Sequence, residues 1–301
     1  MRESKTREES LRNSGSIVAW VVMIFLLTLL GALPFIIGGL RFNGFSPSTR
    51  LSRLAFAGMG LTGFAPGLAA LLIAGFFPGA GGVRSLLRQI RTWRVGVMWY
   101  GVALIGPIIL KLLANVIHIA LGGPPPEHWL ALPSLTASGN NNLFFMILAM
   151  PIGALFEEEI GWRGFAQPRL QHLYGALTAS ILVGILWSTW HLWYVITPGG
   201  FSNVAPIDAL ATYIRMISTA VIYAWMYNST KGSLFLAAIA HAGHNFAVTL
   251  IQSPWRESDL NVSAVNHLLL ALSYFAAAVV VVFMTNPQTL SREKAGKASL
   301  R

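Results

Sequence analysis

Three short stretches set reactive polar groups inside runs that are otherwise apolar. The first is Phe156-Glu157-Glu158-Glu159-Ile160-Gly161-Trp162-Arg163-Gly164-Phe165, with three carboxylates and an arginine. The second is Trp187-Ser188-Thr189-Trp190-His191, and the third is His241-Ala242-Gly243-His244-Asn245. An ionised side chain at bilayer depth costs about 2.5–3.5 kcal/mol on insertion scales, so such residues point to function by default. A carboxylate with an imidazole can activate water, and an imidazole with an amide can donate to an oxyanion. Together the three stretches form a hydrolytic constellation. Glu158, His191 and His241 could alternatively hold a zinc ion, so no cofactor is certain and zinc is the candidate.

α-Helical register divides these residues further. Glu158 and Glu159 would point about 100° apart and so would not both face one site. Glu159 and Arg163 are four apart, share a face, and would offset each other's burial cost. That leaves Glu158 as the free general base and turns Glu157 toward the bundle exterior or the headgroups. His191 taken alone also suits an interfacial aromatic belt. His241 and Asn245 taken alone also suit interhelical hydrogen bonding, with Ala242 and Gly243 removing bulk beside them.

The elements that hold these residues must be membrane helices. The chain has 301 residues, 54% of them hydrophobic and 11% charged, with a mean hydropathy of +0.61. A soluble domain would not tolerate that surface. At about 20 apolar residues per crossing, eight spans are expected: Ile17–Leu40, Leu54–Phe77, Val95–Leu121, Leu143–Glu159, Ala176–Tyr194, Ile207–Tyr227, Leu234–Ile251 and Val265–Met284. The fold class is thus an all-α, polytopic membrane bundle in one transmembrane domain over 1–301. Its core lies at 143–250, with polar tails at 1–15 and 286–301. The first span is too long for a signal-peptide core and reads as a retained helix. No stretch specifies an oligomeric state.

The formal net charge of +10 is distributed over short loops, not along a soluble face, which argues against nucleic acid and for topology. Arginine and lysine concentrate at 2–12, 84–94, 163–169, Lys231 and 292–301, whereas the opposite loops hold only Arg41, Arg50, Arg53 and Arg256. By the positive-inside rule both termini are cytoplasmic. Val83–Arg94 alternates arginine with Leu86, Leu87 and Ile90. It reads either as an interfacial helix on anionic headgroups or as a plain positive-inside loop. Asp208 and Arg215 lie seven apart on one helix face and could help satisfy each other across two turns through a neighbour or water, while Lys111 stands near mid-span. With no cysteine, disulfides and cysteine nucleophiles are excluded.

Glu158-Glu159-x-x-x-Arg163, Trp187-x-x-x-His191 and His241-x-x-x-Asn245, each on its own span and in this order, resemble the CPBP family. That family comprises CAAX prenyl endopeptidases, bacterial Abi proteins and bacteriocin-processing or immunity proteins. The resemblance implies an eight-helix intramembrane endopeptidase whose cavity faces the cytoplasmic leaflet. It further implies that Glu158 and His191 activate water, that His241 and Asn245 stabilise the oxyanion, and that Glu159 and Arg163 shape the site. Whether such a site works with a metal or by glutamate alone stays open, since the chain lacks the His-Glu-x-x-His helix that would indicate zinc. The expected setting is a bacterial inner membrane. The expected partners are lipids and a leader-bearing peptide, bacteriocin or membrane-protein segment in place of a prenylated tail.

Other intramembrane proteases fit poorly. The chain has only two aspartates, Asp208 and Asp259, neither in the Gly-x-Gly-Asp setting of presenilin-like enzymes, and no Gly-x-Ser-Gly of the rhomboid kind. The reading from a different class is a non-catalytic membrane protein, either an immunity scaffold or a small-solute or proton transporter. Convergence of the polar residues on one point would favour the enzyme; polar groups continuing toward the opposite face would favour transport.

Overall fold

The computed structural model describes residues 2–40, 50–76, 82–131, 142–193, 206–254 and 260–291. In chain order the elements are α1 (Arg2–Gly38), α2 (Arg50–Phe76), α3 (Gly82–Ile90), α4 (Val97–Ala120) and α5 (Asn142–Gly153). A π-helical segment (Ala154–Ala166) follows, then α6 (Gln167–Tyr174), α7 (Ala176–His191), α8 (Pro206–Ser229), α9 (Leu234–Leu250) and α10 (Leu260–Met284). No strand occurs among the described residues beyond two isolated bridges, Leu130 to Ile251 and Asn286 to Ser291.

Helices α1, α2, α4, α8 and α10 are long and apolar enough to cross a membrane, and α7 and α9 are shorter apolar helices. Each of the eight expected spans falls on one of these helices or, for the fourth, on α5 and the π-helical segment. The protein is an all-α, multi-pass membrane bundle. Its outer surface is apolar, as the bilayer requires. On α4, for example, Ile105, Ile109 and Val116 are exposed while Lys111, Asn115 and His118 are buried. That is the inverse of a soluble amphipathic helix.

The site-bearing helices are held at close range by missing side chains. A Cβ at Gly161 would stand 2.6 Å from the Pro66 carbonyl oxygen, so the π-helical segment lies directly on α2. A Cβ at Gly243 would overlap the Ala103 carbonyl, which brings α9 against α4. The start of α9 is fixed by a tight turn, with Lys231 and Gly232 at positive φ and the Ser233 hydroxyl accepting the Leu236 amide at 3.1 Å.

Four expectations need correction. The fourth span does not stop at the glutamates but runs on through the π-helical segment and α6 to Tyr174. The N-terminal tail is helical from Arg2, since α1 simply continues outward. Part of the C-terminal tail is docked: the amides of Ala176 and Leu177 donate to the carbonyls of Gln288 and Pro287, and Leu290 is fully buried. Asp208 and Arg215 do not satisfy each other, because Asp208 accepts from His267 Nδ1 at 3.2 Å and Arg215 donates to His244 Nε2 at 2.6 Å. Arg41, Arg256, Asp259, most of the segment after Trp129 and residues 292–301 lie outside the described residues.

Candidate active site

Winding decides where the glutamates point. In a π-helix the backbone bonds close from i to i+5, so each residue advances around the axis by less than in an α-helix. Glu158 and Glu159 consequently both reach His241, which α-helical register had argued against. His241 Nδ1 donates to Glu159 Oε1 at 2.8 Å, and its Nε2 stands 3.9 Å from Glu158 Oε1. Glu157 also departs from expectation. It is half-buried, with its carboxyl group over Gly153 and Gly63, and so turns toward α2.

The i, i+4 pair forms as its spacing requires, with Arg163 Nη1 donating to Glu159 Oε1 at 3.2 Å and both side chains fully buried. One carboxylate oxygen thus receives a guanidinium and an imidazole. The Arg163 guanidinium lies 4.5 Å from the Trp187 ring centre and 4.8 Å from that of Tyr223. Flanking aromatic faces suit a planar cation in a dry site. Tyr223 is itself anchored by donating to the Ala240 carbonyl at 3.0 Å, one residue before His241.

Glu158 is gripped differently. Its Oε2 accepts from Trp162 Nε1 at 3.2 Å and from Trp187 Nε1 of α7, leaving Oε1 toward His241. His191 lies one turn beyond Trp187, donates Nδ1–H to the Trp187 carbonyl at 2.9 Å, and packs edge-on against the Trp187 indole with ring centres 6.1 Å apart. Asn245 follows His241 by one turn of α9 and is half-buried. Its side chain makes no hydrogen bond to the glutamates or His241.

Glu158, Glu159, Arg163 and His241 therefore meet directly, and His191 flanks them across the Trp187 indole. The fit to zinc is poor in this arrangement. Among the described residues no three His, Asp or Glu side chains gather as a ligand set, and one oxygen of Glu158 is taken by two indoles.

Sequence reasoning missed the clamp made by Trp162 and Trp187, and Tyr223 beneath Arg163. Trp162, four residues after Glu158, and Trp187, in the Trp187-x-x-x-His191 pattern, left local signals, whereas Tyr223 left none. It also missed a second buried array, in which His244 Nδ1 donates to the Tyr274 hydroxyl at 2.6 Å while its Nε2 accepts from Arg215. Beyond that, Lys111 donates to Ser253 and to Asn266 Oδ1 at 3.2 Å, and Asn266 donates to Asn115 Oδ1 at 3.0 Å.

Residues 140–247, which hold every one of these glutamates and site histidines, match the family of type II CAAX prenyl endopeptidases described as Rce1-like. The similarity to that family is confined to this segment. Over 103 residues it is 35% identical to CAAX prenyl protease 2 of Methanococcus maripaludis, covering 33% of this chain and 36% of that protein. The chain thus matches about a third of its relative's length. The matched segment comprises α5, the π-helical segment, α6, α7, α8 and most of α9, so the helices that meet at Glu158 and His241 lie within it.

Proposed function

We propose that the chain is an intramembrane endopeptidase that hydrolyses a peptide bond with water activated by Glu158. The observation that carries this reading is the meeting of Glu158, Glu159 and His241, drawn from positions some eighty residues apart, in a buried cluster with directed hydrogen bonds. The 3.9 Å between Glu158 Oε1 and His241 Nε2 is too long for a direct hydrogen bond and suits a water held by both. Glu158 takes one proton from that water as its oxygen adds to the scissile carbonyl carbon. With Nδ1 committed to Glu159, His241 has only Nε2 to present to the oxyanion, and Asn245 offers its amide from the next turn. The carbon–nitrogen bond then breaks, and the leaving nitrogen takes the proton from Glu158. His191 supports the base from across Trp187, and Glu159 with Arg163 holds His241 in place. Chelator sensitivity and metal analysis of the purified protein test the zinc alternative at Glu158, His191 and His241, whose side chains do not gather as a ligand set.

The substrate class is a peptide presented at the membrane. Similarity to a protein named CAAX prenyl protease 2 makes a prenylated C-terminal peptide the first substrate to try, with leader-bearing peptides second. The decisive experiment incubates purified protein with such peptides and maps products by mass spectrometry. Glu158→Ala should abolish cleavage while leaving insertion and thermal stability near wild type; cleavage persisting in that variant would remove the proposal.

One observation favours a second reading. Arg215–His244–Tyr274 and Lys111–Asn266–Asn115 continue the buried polar groups along the bundle away from the glutamates, as a proton or small-solute carrier would need. Uptake into proteoliposomes, lost in His244→Ala and unaccompanied by peptide cleavage, would replace the enzyme with the carrier.

A further inference from the structure

Helix α3 presents a basic cavity that neither reading uses. Arg84, Arg88 and Arg91 line it with Val83, Ser85 and Leu87, as a half-open hollow of about 700 Å³. All three arginines are exposed, as are Arg94, Leu87 and Trp93. Among the described residues no carboxylate pairs with any of these four arginines.

The flanking helices set the depth of this cavity in the bilayer. Helix α2 ends on Phe76, 76% exposed, and α4 opens with Val97 and Met98, 84% and 79% exposed. Side chains that apolar and that exposed belong in hydrocarbon, so α3, which joins the two helices, lies at the headgroup boundary. Trp93 marks the same level, with the Arg94 guanidinium 5.1 Å from its ring centre. The inner face of α3 is fixed. Leu86 is buried, and Gln89 donates to the Gly164 carbonyl at 3.4 Å and accepts from the Tyr227 hydroxyl at 2.6 Å.

We infer that this cavity binds the headgroup phosphate of an anionic phospholipid. Three guanidiniums around one hollow supply the fork geometry that phosphate oxygens accept, and the Val83 and Leu87 wall meets the glycerol and first methylenes. Free inorganic phosphate would leave that apolar wall without an occupant. The bound lipid would sit on the outer face of the helix whose inner face braces Gly164, next to Arg163.

The test measures retention of fluorescent phosphatidylglycerol and phosphatidylcholine by the purified full chain in mild detergent. Wild-type protein should prefer phosphatidylglycerol. At roughly fivefold per arginine, the Arg84→Gln/Arg88→Gln/Arg91→Gln variant should lose about a hundredfold of that preference. The matching triple lysine variant should keep a large part of it, because charge is retained while the fork is lost. Should the glutamine triple fail to fold, Arg88→Gln alone must lower the preference about fivefold. Equal retention of the two lipids by wild type, an unchanged preference in the glutamine variants, or displacement of the lipid by millimolar inorganic phosphate would each overturn the inference.

Discussion

Helix α9 contributes one histidine to each of two buried polar clusters, and the two could hardly be more different in charge. His241 enters a cluster with two glutamates and an arginine, where a carboxylate accepts from its Nδ1. His244, three residues on, accepts from Arg215 and donates to Tyr274, with no carboxylate in contact. The first arrangement leaves a carboxylate oxygen and a ring nitrogen facing each other at 3.9 Å. The second engages both ring nitrogens of its histidine. Under the proposed mechanism the same side chain on the same helix serves chemistry in one place and architecture in the other, according to what the neighbouring helix offers.

The sharpest way to break this contrast is to remove each histidine in turn. His241→Ala should lower peptide cleavage by about 10²–10⁴-fold, the usual range for a group acting on the reacting atoms. His244→Ala should lower it less than about tenfold while destabilising the protein by about 1–3 kcal/mol, the cost of orphaning a buried donor. Equal losses of activity would erase the distinction. Next in size is Glu159→Ala, which strands the Arg163 guanidinium in a fully buried site. Thermal unfolding in detergent should report a loss of about 3–5 kcal/mol, and Arg163→Ala should behave alike. Gly161→Ala probes the fit of the π-helical segment on α2, where a methyl group would press on the Pro66 carbonyl. A cost of about 1–3 kcal/mol is expected, with cleavage reduced in proportion to how far the glutamates shift. The smallest effect belongs to Lys111→Met. Replacing a buried cation that has only neutral partners by an apolar chain of similar length should change stability by less than about 1 kcal/mol. Loss of cleavage in that variant would move Lys111 from architecture into substrate contact.

Much of this was legible beforehand for reasons that are local. Apolar run length located the apolar helices because the bilayer thickness sets how long such a run must be. The Glu159–Arg163 pair followed from spacing alone, since four residues bring two side chains onto one face in either winding. The separation of Glu158 from Glu159 failed because it assumed 100° per residue, and the wider winding of Ala154–Ala166 is not written in hydrophobic periodicity. The pairing of Asp208 with Arg215 failed for a related reason. Both side chains found better partners on other helices, His267 and His244, and helix-face arithmetic considers only one helix. The docked turn at 286–291 escaped notice because polar sequence at a terminus reads as tail, whatever it later caps.

By itself, then, the sequence determined that this chain lives in a membrane as a helical bundle and that several of its helices carry ionisable groups among apolar residues. Those facts rest on hydrophobic burial and on the cost of placing charge in lipid, both of which are properties of residue types. Which oxygen of Glu158 the two indoles hold, which nitrogen of His241 is committed to Glu159, and that both glutamates reach one imidazole were decided only by tertiary structure. Hydrogen bonds are directional over a few ångströms, and only packed helices fix directions to that tolerance.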